Sequence, residues 1–334
     1  MNEPVIKVSG LTKIYPGGVL AVDHISFEVH EGEIFALLGP NGAGKSTTIG
    51  MLTTSLRPTE GEAIIAGYSI NREPSRVRSV IGVVPQEFSA DEDLTGWENI
   101  MLIGYLYGLP KDTVKKRAAE LLQTVGLYNV KDKKVETYSG GMRRRLEIAI
   151  GLINRPRVLF LDEPTLGLDV QTRAAIWEYI LKLKKDYNMT IFLTTHYLEE
   201  ADAYGDRVAI IDRGKILVIG KPDELKRNVT WDTLFIEVSG SYDSAKQALS
   251  ILPQVKEVSF VNGQIVIKVA DGPSAIPLVV SAINSTGQEV KRLSLNRPSL
   301  DEVYMYYTGK SMREESMSKE EAFALRRTLR RARS

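Results

Sequence analysis

The chain has 334 residues, with 43 lysines and arginines against 42 aspartates and glutamates, so a formal charge of +1 gives no global pull toward nucleic acid or anionic lipid. A hydrophobic content of 43% supports buried cores in more than one domain. Zero cysteines exclude a disulfide framework, a thiolate metal site and a cysteine nucleophile, which suits a reducing compartment.

Met1-Asn2-Glu3-Pro4 puts an acid and a proline where a signal peptide needs basic residues and then an apolar run, so no secretion signal is expected. No stretch approaches the roughly 20 consecutive apolar residues of a membrane span. Val5 to Ser9, Ile25 to Val29 and Ala63 to Ala66, with turn residues between them, predict an antiparallel flank. Glu33 to Leu38, Ser79 to Val84, Arg157 to Leu161, Met189 to Thr194 and Val208 to Ile211 read as buried strands separated by helical patterns, the rhythm of a parallel α/β sheet. Leu94 to Val125 is mostly helical in pattern.

The rhythm changes after Gly220-Lys221-Pro222, which divides the chain into a principal domain (1–222), a smaller α+β domain (223–310) and a basic tail (311–334). In the smaller domain, strand Leu234 to Val238, helix Asp243 to Leu252, strands Val255 to Val261 and Gln264 to Val269, helix Ser274 to Ile283 and strand Glu289 to Leu295 follow the βαββαβ order of a ferredoxin-like module. Asn262-Gly263 is the hairpin signal in its middle. In the tail, Arg326, Arg327, Arg330, Arg331 and Arg333 accompany Ala322, Leu325 and Leu329 at helical spacing. A solvated or frayed end is expected there, with contact to anionic lipid headgroups as the alternative.

Chemistry enters with Gly39-Pro40-Asn41-Gly42-Ala43-Gly44-Lys45-Ser46, which fits the phosphate-loop pattern, follows an apolar strand and opens a helix. Glycines let successive backbone N–H groups curl around phosphate oxygens, and the helix adds its positive end. Lys45 is expected to reach the β- and γ-phosphates, and Ser46 to ligate Mg²⁺. Val158-Leu159-Phe160-Leu161 then delivers Asp162 and Glu163 to the end of the sheet where ligands bind in open α/β folds. Since neighbouring strand residues face opposite ways, Asp162 is expected to hold Mg²⁺ and Glu163 to activate water as general base.

Those two features also suit kinases, GTPases and helicases, so discrimination comes from four further elements. Tyr138-Ser139-Gly140-Gly141-Met142 resembles the signature of the ATP-binding-cassette (ABC) family, usually L-S-G-G-Q, and stands just before the acidic strand as it does there. Gln86 resembles the Q-loop glutamine, Gly167-Leu168-Asp169 the D-loop, and His196 the switch histidine, all in the family's order. Tyr15 matches the aromatic residue that stacks on adenine.

The resemblance covers residues 3 to about 225 and implies a P-loop NTPase cassette: a parallel-sheet core, an antiparallel β flank and a helical subdomain. It implies ATP held by Tyr15, Gly39, Pro40, Asn41, Gly42, Ala43, Gly44, Lys45, Ser46 and Thr47, and Mg²⁺ held by Ser46, Gln86 and Asp162. Catalysis would fall to Glu163, His196, Lys45 and Gln86, and Asp169 would serve as the D-loop acid. It further implies a head-to-tail homodimer in which Ser139, Gly140 and Gly141 of one chain contact ATP bound to the other. A separately encoded transmembrane permease and a cytoplasmic position, peripheral on the inner face of the membrane, complete the picture.

Arg297-Pro298-Ser299-Leu300-Asp301-Glu302-Val303-Tyr304, then Tyr307-Thr308-Gly309-Lys310, resembles the end of daunorubicin-resistance type ABC-2 ATPase subunits, and Arg143-Arg144-Arg145 after the signature points the same way. Export is the direction this implies, with the second domain as a regulatory or dimer-stabilising module. The rival, a soluble ABC ATPase acting on ribosomes or DNA, resembles two cassettes in one chain or a cassette split by a long coiled coil. This chain has one phosphate loop and no such insert, so no nucleic-acid partner is expected. Met142 and Tyr138 depart from the usual glutamine and leucine. A Ser-x-x-Gln capping box is therefore missing, which predicts a less firmly fixed helix start.

Overall fold

The protein is described by a computed structural model covering residues 4–229, 231–240, 242–261 and 263–312. Two compact units divide at Gly220 and Lys221.

In the first unit β1 (Ile6–Tyr15) and β2 (Val19–Val29) form a hairpin turned by Gly17 and Gly18, both at positive φ. β3 (Ile34–Leu38) enters the core and leads to α1 (Lys45–Leu52). β4 (Glu60–Ile65) and β5 (Tyr68–Ser69) return to the hairpin and complete a four-stranded antiparallel sheet in the order β2-β1-β4-β5. Then come α2 (Pro74–Val80), β6 (Ile81–Val84) and three helices of the helical part: α3 (Gly96–Leu106), α4 (Lys111–Thr124) and α5 (Gly140–Gly151). β7 (Val158–Asp162), α6 (Val170–Tyr187), β8 (Thr190–Thr195), α7 (Leu198–Tyr204), β9 (Arg207–Asp212) and β10 (Lys215–Gly220) finish the unit. The second sheet runs β10-β9-β3-β8-β7-β6 and is parallel except for β10, which turns back along β9.

β3, β7 and β8 are buried at every position, as their unbroken apolar runs require of strands covered on both faces. Between the two sheets Phe27 stacks on Phe35 at 5.2 Å, Phe35 on Phe192 at 5.7 Å, and Phe160 tilts against Phe192 at 5.4 Å. This aromatic stack holds the antiparallel flank to the strands that carry the chemistry. At the other face, β6 and the C-terminal end of α5 approach so closely that a Cβ on Gly82 would lie 2.0 Å from the Gly151 carbonyl.

The second unit begins with α8 (Pro222–Val229) and continues β11 (Asp232–Val238), α9 (Tyr242–Ser250), β12 (Val255–Val261), β13 (Gln264–Val269), α10 (Gly272–Asn284), β14 (Val290–Asn296) and α11 (Leu300–Thr308). Its sheet is antiparallel in the order β12-β13-β11-β14, so each βαβ crossover is split by an intervening strand, the ferredoxin-like arrangement. Leu234, Ile236, Ile265 and Ile267 alternate onto the face covered by α9 and α10.

Several boundaries differ from the sequence reading. Pro74 starts a helix that runs to Val80, so the strand expected from Ser79 begins at Ile81. β1 and β2 extend far beyond Val5 to Ser9 and Ile25 to Val29, because positive-φ glycines make the tight turn between them. β10 carries the apolar run Ile216 to Ile219, which the sequence reading passes over, and as the edge strand its residues are all partly solvated or exposed. Gly263 takes the positive φ a hairpin needs, whereas Asn262 and the arginine-rich tail lie outside the described residues.

Replacing Phe192 by Ala removes the ring shared by both faces of the stack. A loss of about 3–5 kcal/mol of unfolding free energy is expected in chemical denaturation, with the parent m-value unchanged.

Candidate functional site

Apolar β3 ends at Leu38, and the next residue must turn against β9. A Cβ on Gly39 would stand 2.2 Å from the Ile211 carbonyl oxygen, so only glycine passes. Gly44, at φ 108°, has the same constraint against Ala21 O at 2.6 Å. As N-cap of α1 it offers no side chain to the first-turn amides, which therefore remain for an anion. Tyr15, at the exposed end of β1, joins this rim through its hydroxyl, 3.3 Å from Thr47 Oγ1.

The deepest part of the site is a chain of charges. The Lys45 ammonium, 4% exposed, donates to Gly39 O at 2.8 Å and Pro40 O at 3.2 Å, and stands 3.1 Å from Glu163 Oε1. Glu163 Oε2 lies 2.9 Å from His196 Nδ1. Burial alone would raise the Glu163 pKa, but the hydrogen bond from His196 and the Lys45 charge outweigh it and hold the carboxyl below its ordinary value. An ionised carboxylate can only accept, so His196 Nδ1 carries the proton.

Asp162 sits beside this chain. Its Oδ1 accepts from Ser46 Oγ at 3.3 Å and from the Thr194 hydroxyl. Burial pushes its pKa up, with these hydroxyls opposing. Thr194 also receives the Glu163 amide on Oγ1 and on its carbonyl, each at 3.1 Å. Strand alternation, expected from the sequence to separate the two acids, does not do so: β7 stops at Asp162, and Glu163 adopts a left-handed φ of 46°. A backbone reversal, rather than the pleat, turns one carboxylate toward Ser46 and the other toward Lys45 and His196. Among the described residues no group of three or more His, Asp or Glu side chains could hold a metal alone. Two hydroxyl and carboxylate oxygens supplemented by phosphate are instead the donor set that suits Mg²⁺.

The remaining predicted residues do not join that network. Ser139 is exposed and caps α5, accepting Met142 N at 3.3 Å, with Gly140 and Gly141 forming the first turn. A Cβ on Gly141 would meet Thr172 at 2.5 Å, so the signature turn packs against α6. Tyr138 takes the usual leucine's place by burying its ring and donating its hydroxyl to Val130 O at 2.9 Å. Asp169 caps α6 through Gln171 N, Thr172 N and the Thr172 hydroxyl, which lower its pKa. Gln86 is exposed, and its carbonyl accepts from Arg144.

Four residues have supporting roles that the sequence reading does not give. Thr194 figures there only as a strand residue. Arg144 and Glu147 form a buried ion pair on α5, marked in sequence only by i, i+3 spacing of opposite charges. Glu200, 3% exposed, accepts from the hydroxyls of Thr165 and Thr195, tying the segment after Glu163 to the turn before His196.

Comparison with known proteins identifies the family. The family profile described as ABC transporter matches residues 22–166, and that described as ATP-binding protein DrrA1-3-like, C-terminal domain, matches residues 220–308. The chain is 41% identical to the doxorubicin resistance ATP-binding protein DrrA of Mycobacterium tuberculosis, over 92% of this chain and 94% of that protein. It is 40% identical to the daunorubicin/doxorubicin resistance ATP-binding protein DrrA of Streptomyces peucetius, over 91% and 92%. Among solved structures, a dimeric ATP-binding cassette in a post-hydrolysis state with ADP and Pi superposes with a TM-score of 0.59 at 30% identity, covering 65% of this chain and 98% of that one.

Ser139 caps α5 without a reciprocal partner, since methionine cannot reach back to the Ser139 amide. Met142→Gln is expected to complete the capping box and raise stability by about 0.3–1.5 kcal/mol in thermal or denaturant unfolding. No gain in stability would mean that the helix start is already fixed by its packing on α6.

Proposed function

Because this chain belongs to the ABC transporter ATP-binding proteins, we propose that it is the ATP-hydrolysing subunit of an exporter whose membrane-spanning permease is a separate polypeptide. The observation that carries the chemistry is the buried Lys45–Glu163–His196 chain beside Asp162 and Ser46.

ATP enters with its phosphates over the glycine loop and its adenine against Tyr15. Lys45 moves its ammonium onto the β- and γ-phosphate oxygens, where a point charge offsets theirs. That exchange releases Glu163 Oε1, while Oε2 keeps its hydrogen bond to His196. The freed oxygen orients water in line with the γ-phosphorus and accepts its proton, and a lowered pKa keeps the carboxylate ionised for the task. Ser46 and Asp162, with Gln86 from its loop, would hold Mg²⁺, which when bound neutralises charge on the β- and γ-phosphates.

One chain leaves the γ-phosphate contacted from one side. The exposed turn Ser139-Gly140-Gly141 presents a hydroxyl and helix N-terminal amides that suit a phosphate, yet it makes no hydrogen bond to Lys45, Glu163 or His196 among the described residues. Two copies arranged head to tail satisfy both halves, each signature closing over the nucleotide of its mate. Hydrolysis then removes the bridging phosphate and lets the dimer open.

No helix among the described residues is long and apolar enough to cross a membrane. Leu102 and Leu106, one turn apart on α3, are 44% and 74% exposed, and Phe88 after Gln86 is 45% exposed. Large apolar side chains left in water there support a docking surface for the permease on the cytoplasmic side, where ATP is available. The relatives confer doxorubicin and daunorubicin resistance by name, which supports export of amphiphilic compounds. The C-terminal unit is read as a regulatory or dimer-stabilising module.

Glu163→Gln removes the proton acceptor and keeps the shape. Phosphate release is expected to fall by about 10²–10⁴-fold with ATP binding retained, and Mg-ATP should double the particle mass in light scattering. A variant that stays monomeric under saturating Mg-ATP sinks the sandwich.

A further inference from the structure

The segment leaving β6 carries Gln86 and is gripped by two charged residues of α5. Arg144 Nη1 donates to Pro85 O at 2.6 Å, and Nη2 donates to Gln86 O at 2.7 Å. Glu147, one turn along, accepts Arg144 Nη1 on Oε2 at 2.9 Å and receives the Ser89 amide and hydroxyl on Oε1. The Phe88 ring covers the guanidinium at 4.9 Å. Carbonyls of two consecutive residues are thus taken by one planar fork, and the chain three residues on is held by its counter-ion.

Both side chains are nearly inaccessible, at 2% and 1% exposure. Desolvating two charges costs much of what their attraction returns, so such a pair is a poor device for stability alone. It is a good device for orientation, because guanidinium geometry fixes two acceptors at once, which lysine cannot do. The same helix starts at Ser139, so the grip joins the Gln86 main chain to the signature turn through one rigid element.

We propose that Arg144 and Glu147 are positioning residues that lock Gln86 to the signature helix, so that nucleotide engaged by Gln86 in one site displaces the signature serving the other. The proposal rests on the head-to-tail dimer reading. It makes the two ATP sites cooperative through a connection inside each chain, in addition to any contact across the interface.

The full-length chain provides a clean test, since it contains no cysteine and Glu87→Cys introduces a single thiol on an exposed position beside Gln86. In that background, Arg144→Met with Glu147→Leu replaces the ion pair by an apolar one and keeps the buried volume. Affinity for a fluorescent ATP analogue is expected to stay within about twofold, whereas kcat falls roughly 10- to 100-fold. The Hill coefficient for ATP should drop from near ~2 to ~1, and the labelling rate at position 87 should stop responding to Mg-ATP. Arg144→Lys keeps the charge pair and removes the two-pronged grip, so it reports on the grip if the double variant does not fold. Partial loss of cooperativity is expected there, with intermediate kcat. Parent-like cooperativity and a parent-like labelling response in these variants overturn the proposal. A parent chain that is itself non-cooperative and monomeric with Mg-ATP overturns the dimer reading, and the proposal with it.

Discussion

A cation, a carboxylate and an imidazole share one buried line at the end of the parallel sheet: Lys45, Glu163 and His196. Lys45 and Glu163 would each be costly there alone, since an isolated charge in a low-dielectric interior is strongly disfavoured. Together they satisfy one another, and the carboxylate is kept ionised by its two partners against the pull of burial. The line spans three strands, because Lys45 follows β3, Glu163 follows β7 and His196 follows β8. β8 lies between the other two, so Thr194 can bond the Glu163 amide and Asp162 as well. The sheet order is therefore what gathers residues separated by more than a hundred positions.

The apolar interior serves this arrangement. Phe27, Phe35, Phe160 and Phe192 tie the antiparallel flank to β3, β7 and β8, so Tyr15 on the flank is carried to the rim of the phosphate loop at Thr47. The helical part does the opposite work. It presents Ser139 outward, on a turn held by Tyr138 and packed on α6. One half of the unit gathers its charged residues in place, and the other half turns an exposed hydroxyl and helix start to the surface, as the proposed dimer requires.

Much of this was legible in the residues. The phosphate loop and the apolar strand running into Asp162 and Glu163 announce themselves through continuous local patterns, and the βαββαβ rhythm of the second unit does the same. What local pattern cannot supply is the backbone reversal at Glu163, because a left-handed glutamate has no compositional marker and runs against the usual preference of that region for glycine. Nor could it supply Thr194, whose hydroxyl looks like any strand threonine until the fold brings it to Asp162. Arg144 stands out in sequence only as part of the Arg143-Arg144-Arg145 run and Glu147 not at all, and it is the packing of α5 against the Gln86 segment that buries them as a pair.

The close approach of Gly82 to the Gly151 carbonyl brings β6 and the foot of α5 into backbone contact, with Val84, Leu159 and Pro156 packed around it. A side chain at Gly82 would wedge the two apart, and α5 is the arm that would enlarge the tilt. Its 12 residues make that arm about 18 Å long. A swing of roughly 10° about the glycine contact would carry the far end through about 3 Å by that length, the difference between a hydroxyl touching an oxygen and missing it.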